Sequence, residues 1–181
     1  MPKLLVVESP SKISAISKYI GDDYIVCATV GHMLDLSPKS LAIDVETMEA
    51  THSTVRGKSK NINHLKKEFK YCSEVLLAGD PDREGEAICH QIATVLGVPI
   101  ATTKRIKFNE ITKPALLKAI KNPTTIDINL YNAQQTRRII DRLVGYKVSP
   151  IVSRGLGHTG LSAGRVQSVV LKFICDRQEE I

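Results

Sequence analysis

The stretch that most constrains the fold covers residues 75–86, with the sequence VLLAGDPDREGE. Its apolar start, residues 75–78, predicts a short strand buried on both faces, and Gly79 marks a turn after that strand. In an extended backbone, side chains at alternate positions point to one side, where like charges repel one another unless a cation lies among them. Three carboxylates occupy alternate positions after the turn: Asp80, Asp82 and Glu84.

These carboxylates have two interpretations. Oxygen ligands without thiols suit a hard divalent cation, Mg²⁺ or Mn²⁺. Because magnesium usually takes only one or two carboxylates and keeps several waters, we expect the third carboxylate in the outer shell. The alternative is an acidic turn that caps the helix predicted from Glu84 to Leu96, since carboxylates stabilise helix N-termini. The stretch alone leaves both interpretations open.

Strands alternate with helices over the first two thirds of the chain. This order predicts an α/β fold, with a Rossmann-like, mostly parallel sheet flanked by helices. The predicted strands cover residues 3–8, 24–30, 75–78 and 104–108, and the predicted helices cover residues 10–20, 84–96 and 112–120. A short strand is also expected at 41–45. Ligands of such folds bind at the carboxyl ends of the strands, where Glu8, Lys12 and His32 are expected to lie.

The alternation stops after residue 123. A helix is predicted over residues 130–144, with Leu130, Ala133, Ile140 and Val144 as its apolar stripe. Residues 154–164 are rich in glycine and are expected to be mobile without a partner, and Ser162 is expected to cap a last helix. Because a helix N-terminus with a nearby arginine suits a phosphate, Arg165 in the first turn is a candidate ligand. We therefore divide the chain into domains of residues 1–123 and 124–181.

Charge is distributed unevenly along the chain. Residues 1–103 contain 11 Lys and Arg against 13 Asp and Glu, whereas residues 104–181 contain 14 against 6. The excess of positive charge in the second part indicates a polyanionic partner. Since the chain has no Trp, five Tyr and three Phe, contact with backbone phosphates is expected rather than broad stacking on bases.

The remaining features exclude several classes of protein. The four cysteines form no CxxC pair and no zinc-binding pattern, which favours buried free thiols in a reducing compartment. The apolar run at residues 4–7 is too short for a signal peptide or a membrane span, so we expect a cytoplasmic protein. A GxGxxG pattern at residues 155–160 does not follow a first βαβ strand, so dinucleotide binding is not expected.

Six stretches together resemble the type IA DNA topoisomerases of the bacterial topoisomerase I type. They occur in the family's order over nearly the whole chain: residues 5–12 (LVVESPSK), 31–32 (GH), 80–86 (DPDREGE), 105–112 (RIKFNEIT), 134–146 (QQTRRIIDRLVGY) and 161–168 (LSAGRVQS). The first four belong to a TOPRIM domain, which primases and some nucleases also contain. The last two are not shared with those enzymes, so the resemblance is specific.

The resemblance implies a role for each matched residue. Asp80, Asp82 and Glu84 would hold magnesium, and Glu8 would act beside them as general acid and base toward the DNA 3′ oxygen. Glu8 would also be a metal ligand. Lys12 would stabilise or protonate that oxygen, and Arg83 would be a further catalytic residue that also lines the DNA groove. The residues that would line the DNA groove are His32, Arg105, Arg137, Asp141, Arg165 and Gln167. For Arg137 and Asp141, which are one helical turn apart, a plain intrahelical ion pair is the alternative.

Enzymes of this family are isomerases that relax negatively supercoiled DNA. They cleave one strand through a tyrosine, leaving a 5′-phosphotyrosyl link, pass another strand through and reseal the break. The nucleophile belongs to a later, arginine-flanked motif, and none of the five tyrosines has such surroundings: Tyr19, Tyr24, Tyr71, Tyr131 and Tyr146. We therefore expect an N-terminal fragment that binds metal and single-stranded DNA but does not cleave DNA alone. Its partners would be the rest of its own polypeptide and DNA, in a monomeric, cytoplasmic, nucleoid-associated enzyme.

Two other functions stay open on the sequence. The first is a TOPRIM nuclease or primase-like protein that uses metal-activated water or nucleotide chemistry. The second is a non-catalytic DNA-binding module in which the carboxylates only cap a helix.

Overall fold

The computed structural model describes residues 1–181 and divides them into two compact units. The first unit contains residues 1–35 and 52–134, and the second contains residues 36–51 and 135–181. This division differs from the predicted boundary at residue 123. The reason is that Arg142 donates hydrogen bonds to the backbone oxygens of Leu36 and Ser37, at 3.2 and 3.0 Å, and so ties residues 36–51 to the second unit.

The first unit is built on a parallel sheet of four strands in the order β2-β1-β5-β6. The strands are β1 (Lys3–Val7), β2 (Tyr24–Ala28), β5 (Val75–Ala78) and β6 (Lys104–Arg105). In the register, Leu5 lies opposite Val26 on one side and Leu76 on the other. The predicted α/β fold is confirmed. β6 is shorter than predicted, because the chain leaves the ladder after Ile106, whose N–H still donates to the Leu77 oxygen at 2.9 Å.

Helices cover both faces of the sheet. Alternate residues of β1 face different apolar cores. Leu4 and Val6 belong to the first core, and Leu5 and Val7 belong to the second. The first core is closed by α2 (Ser59–Phe69) and α3 (Arg83–Leu96), and the second by α1 (Ile13–Ile20) and α4 (Lys113–Lys121). Each large apolar side chain buried in this way contributes about 1.5–3 kcal/mol to folding.

Local signals place the helix ends. Asp82 is the N-cap of α3 and accepts a hydrogen bond from the Gly85 N–H at 2.7 Å, and Gly97 ends the helix in the left-handed conformation. Thr112 caps α4, as predicted. A 3₁₀ turn, Pro10–Lys12, precedes α1. The loop after β5 therefore leads directly into a helix, and this transition positions the acidic residues.

The predicted strand at residues 41–45 is wrong. This segment contains only an isolated bridge between Ile43 and Ala50. Two short strands that the sequence did not predict, β3 (Leu34–Leu36) and β4 (His52–Thr54), form a separate two-stranded sheet.

The second unit is mainly helical. It contains the end of α5 (Ile128–Leu143), a π-helical turn (Val144–Val148), α6 (Ser149–Gly155) and α7 (Arg165–Glu179). The expected apolar stripe of α5 is wrong, because Ala133 and Ile140 are exposed and Gln134 is the buried residue of this helix. Ser162 does not cap α7; the N-cap is Gly164, which has no side chain to do so.

Other predictions concern the surface and the thiols. None of the helices combines the length and apolarity needed to cross a bilayer. All four cysteines are free, as predicted, but only three of them are buried, and Cys175 is exposed. The GxGxxG stretch follows α6 and not a strand, which agrees with the exclusion of a dinucleotide site.

Candidate metal and DNA-strand sites

The carboxyl edge of the parallel sheet brings together residues that are far apart in sequence. Glu8 follows the last residue of β1, the acidic loop 79–82 follows β5, and His32 lies in the segment after β2. Because β1 pairs in parallel with both β2 and β5, the three segments leave the sheet at the same edge. The Val30 N–H donates to the backbone carbonyl oxygen of Glu8 at 2.9 Å, which fixes the segment after β2 to the end of β1.

Lys12 and Asp80 form an ion pair at this edge, between the Lys12 ammonium and Asp80 Oδ1. A cavity of about 280 Å³ lies beside the pair. Its other lining residues are Pro81, Phe108, Asn109, Glu110 and Ile111. Lys12 is therefore part of the acidic site.

Glu8 lies within the electrostatic field of this site. Burial raises the pKa of its carboxyl, and the negative charges of Asp80 and Asp82 raise it further, while Lys12 and His32 lower it. The direction of the shift agrees with the role expected for a proton donor. The main cause of the raised pKa is loss of hydration on burial, and repulsion from the neighbouring carboxylates is the second.

The structure does not gather the three alternating carboxylates. Asp82 caps α3 with its Oδ1 atom, and Glu84 belongs to the first turn of that helix. Since the backbone is helical from Arg83 onward, the period is 3.6 residues rather than two, and the expected common side is lost. Glu84 Oε2 instead accepts from Gln134 Nε2 at 3.0 Å and lies 3.4 Å from His32 Nε2.

No three acidic, histidine or cysteine side chains of the chain form a ready set of metal ligands. The donors nonetheless fit a hard divalent cation that takes one or two carboxylates and keeps its waters. Asp80 and Asp82 both act electrostatically on Glu8, and the three residues supply only oxygen donors. The fourth predicted metal ligand, Glu84, contacts Gln134 and His32.

Arg105 is not a DNA ligand in this structure, which corrects the expectation. Its side chain is 0% exposed, and its Nε donates to Glu86 Oε2 at 3.1 Å. Its terminal nitrogens donate to the backbone oxygens of Gly79 and Asp80 at 2.8 and 2.7 Å. The buried guanidinium therefore fixes the backbone of the acidic loop.

Glu86 is a buried residue that the sequence interpretation missed. Besides the hydrogen bond from Arg105, its carboxylate accepts one from the backbone N–H of Asp127 at 2.7 Å. Asp127 directly precedes α5. It thus joins α3, β6 and the start of α5. The sequence signal was available: Glu86 falls on the side of α3 occupied by the buried Cys89 and Ala93.

Two glycines allow the loop to approach α3. A Cβ atom on Gly85 would lie 2.1 Å from the backbone oxygen of Asp80, and one on Gly79 would lie 2.6 Å from the backbone oxygen of Gly85. Such distances exclude a side chain at either position. Of the other expected site residues, Arg83 is exposed at the first position of α3, and His32 is half-buried.

The second unit holds a separate candidate site. Asp141 accepts two hydrogen bonds from Arg165, one of them from Nη2 at 2.9 Å, and Arg165 lowers the pKa of the Asp141 carboxyl. The intrahelical pair with Arg137 is looser, with 3.9 Å between Nε and Oδ2. A cavity of about 410 Å³ is lined by Arg137, Asp141, Arg165 and Gln167 together with the start of α7. Four of the residues expected to line a DNA groove therefore line one cavity.

Comparisons with known proteins assign both parts of the chain. Residues 3–111 match the Toprim domain family, and residues 125–181 match the family described as DNA topoisomerase. Among solved structures, full-length topoisomerase I from Thermotoga maritima is similar over 98% of this chain, with 43% sequence identity and a TM-score of 0.89. The chain spans 30% of the length of that protein.

Proposed function

We propose that this chain, which belongs to the type IA DNA topoisomerases, supplies the metal-binding and strand-holding part of an enzyme that cleaves, passes and reseals one DNA strand. The observation that carries the proposal is the meeting of Glu8, Lys12 and Asp80 at one sheet edge beside a cavity. Such a group combines a proton donor, a cation and a metal ligand.

Each residue has a chemical task in this scheme. Glu8, whose pKa is raised, holds a proton that can pass to the departing 3′ oxygen and return during resealing. The Lys12 ammonium stabilises the negative charge that develops on that oxygen. Arg83, which is exposed at the start of α3, is available to a phosphate.

Asp80 and Asp82, with Glu8, would hold the divalent metal, magnesium or manganese. When bound, this ion would neutralise the charge that builds on the phosphate oxygens. The Asp82 Oδ1 atom is engaged by the Gly85 N–H, which leaves Oδ2 for a ligand. Glu84 keeps His32 and Gln134 in place and is an outer member of the site.

The second unit would hold the strand. Arg165 begins α7, and a helix N-terminus with an arginine offers both N–H donors and a guanidinium to a phosphate. Because Asp141 neutralises Arg165 in the free protein, a phosphate would have to compete with that carboxylate.

The tyrosines support assigning the nucleophile to another part of a longer enzyme. Tyr19 and Tyr24 pack against the core, Tyr131 stacks on His90, and Tyr146 donates to the Pro38 oxygen at 2.8 Å. Tyr71 is exposed, but it precedes β5, whereas the acidic site follows the carboxyl ends of the strands. We propose that the chain alone binds negatively supercoiled and single-stranded DNA without cleaving it. We further propose that the whole enzyme is monomeric, cytoplasmic and associated with the nucleoid.

The metal part is tested by thermal unfolding with and without Mg²⁺. A ligand that binds only the folded state at 100 times its Kd stabilises by about 2.7 kcal/mol. The melting temperature should rise with Mg²⁺ in the wild type and not in Asp80→Asn, whereas Asp44→Asn, an exposed control, should respond like the wild type. No response in the wild type would favour a non-catalytic module, and phosphodiester hydrolysis abolished by Asp80→Asn would favour a nuclease.

The DNA part is tested by binding of a single-stranded oligonucleotide over a series of salt concentrations. For single strands, the slope of log affinity against log salt is about −0.7 per neutralised phosphate. Arg165→Gln should weaken binding and reduce this slope, whereas Arg177→Gln, in the last turn of the same helix and outside the cavity, should change neither. Equal effects of the two variants would reject the strand site.

A further inference from the structure

The contacts of Gln91 define the protonation pattern of His32. Gln91 is buried in α3, two turns after Glu84 on the same side of the helix. Its Oε1 atom accepts from the N–H groups of Met33 and Leu34 at 3.0 and 3.2 Å. Two donors directed at the same atom identify it as the oxygen, so the other end of the amide is the NH₂ group.

This NH₂ group donates to the Leu34 oxygen at 2.9 Å and lies 3.0 Å from His32 Nδ1. A donor that faces Nδ1 requires that nitrogen to be an acceptor without a proton. The proton of the neutral imidazole is therefore on Nε2, which lies 3.4 Å from Glu84 Oε2. The ring is held from one side and presents a single N–H on the other.

The segment that carries His32 is fixed at further points. Asn61 Nδ2 donates to the Thr29 oxygen at 3.3 Å, and the Lys58 ammonium contacts the Val30 oxygen. Val30, a β-branched residue, has a φ of +58°, a strained conformation that persists only where the surroundings enforce it. These contacts thus hold the segment beside Glu8 despite the unfavourable backbone conformation of Val30.

We propose that Gln91 is a positioning residue that holds His32 in the Nε2–H tautomer and directs this donor to the carboxyl edge of the sheet. There it would bond Glu84 in the free protein and a phosphate oxygen when a strand is bound. The second half of the statement rests on the proposed function. The first half concerns the free protein and stands or falls without DNA.

The tautomer is measured by two-dimensional ¹H–¹⁵N spectra of the histidine rings, at a pH about two units above the ordinary imidazole pKa of about 6.5. His32→Gln identifies the signal. In the wild type, Nε2 should carry the proton. In Gln91→Glu, which has the same shape but presents an acceptor to Nδ1, the proton should move to Nδ1.

Two further variants separate positioning from folding. Gln91→Met, which removes the amide, should give a mixture of tautomers, whereas Gln134→Met, which removes a different partner of Glu84, should keep Nε2–H. The ring stacking of His90 on Tyr131, 3.7 Å between centroids, provides a signal for intact packing around α3. If Gln91→Glu does not fold, the comparison of the two methionine variants decides. An unchanged tautomer in every folded Gln91 variant would overturn the proposal.

The functional consequence is measured with the same single-stranded oligonucleotide. Gln91→Met should weaken binding roughly three- to tenfold, which is the usual effect of losing one ordinary hydrogen bond. The salt slope should stay as in the wild type, because no cation is removed. A wild type with the Nε2–H tautomer but no DNA binding would reject the proposed function alone. DNA binding with a tautomer that is independent of Gln91 would reject the positioning role alone.

Discussion

Glu8 shows at the scale of one residue how the site couples folding to proton binding. Because its pKa is raised in the folded protein, the folded state holds the proton more tightly than the unfolded chain. The stabilising contribution of the neutral carboxyl is therefore present below the ordinary glutamate pKa of about 4.3 and is lost as pH rises through the raised value.

From this sign we expect Glu8→Gln to be more stable than the wild type at pH 7, since glutamine resembles the protonated carboxyl. The difference should shrink as pH falls through the raised pKa of Glu8 and should be smallest below about 4.3, where the carboxyl is neutral in both states. Urea unfolding at several pH values measures it, with Glu46→Gln as an exposed control expected within about 0.5 kcal/mol of the wild type at neutral pH. A destabilised Glu8→Gln at pH 7 would show that the carboxylate form is the favoured one.

Arg105 makes a second prediction at this scale. Arg105→Met would leave Glu86 buried without its main cation and several backbone oxygens without donors. Removing one partner of a buried pair typically costs about 3–5 kcal/mol. Arg56→Met, at an exposed position of the same unit, should stay within about 0.5 kcal/mol of the wild type. Chemical unfolding of the two variants gives the comparison, and equal stabilities would contradict the structural role.

The residues that sequence interpretation assigned wrongly share a physical cause. Glu8, Lys12 and Asp80 were predicted because they follow recognisable strands, and parallel pairing brings strand ends to one edge. Arg105 was misassigned because charge alone does not reveal burial. Glu84 was expected beside Asp80 and Asp82 because an extended backbone was assumed at a position where the chain is already helical. An arginine that ends a strand can point to solvent or into the core, and only the partner Glu86, on another element, decides.

At the scale of elements, the close junction between β5 and α3 constrains the geometry of the acidic site. The strand, the acidic loop and the helix lie so close that Gly85 has no room for a methyl group. Sequence patterns predicted the strand and the helix well, because burial and the Gly97 stop are local signals. The path of residues 36–51 was not predictable, because it depends on Arg142 and Tyr146, about a hundred positions later.

Gly85→Ala should therefore destabilise the chain by at least about 1–3 kcal/mol, the usual cost of overpacking. It should also abolish the stabilisation by Mg²⁺, since the Asp80 backbone must move away from the helix. Gly145→Ala is the matched control, because nothing lies within 4 Å of the position that its added methyl carbon would take and its φ is not positive. Thermal unfolding with and without Mg²⁺ measures both effects. A Gly85→Ala variant with wild-type stability and Mg²⁺ response would contradict the close approach.

At the scale of the whole chain, polar and apolar surfaces are unevenly placed. The excess of positive charge lies in residues 104–181, and so does the largest run of exposed apolar side chains. The sequence of α7 places apolar residues on one side of the helix, and the structure leaves that side uncovered: Val166, Val169, Val170, Phe173 and Ile174. Helical periodicity reveals which residues form such a side, but not whether another element covers it.

The uncovered side of α7 should make the chain associate with itself as its concentration rises, because contiguous apolar patches of this kind promote contact. Phe173→Ser, at a position 66% exposed, should reduce both this association and the binding of a hydrophobic dye, with the melting temperature nearly unchanged. Phe69→Ser, which alters a phenylalanine packed against the first core, should instead lower the melting temperature and raise dye binding. Sedimentation at several concentrations measures the association. A Phe173→Ser variant that melts as low as Phe69→Ser would mean that α7 is packed in solution.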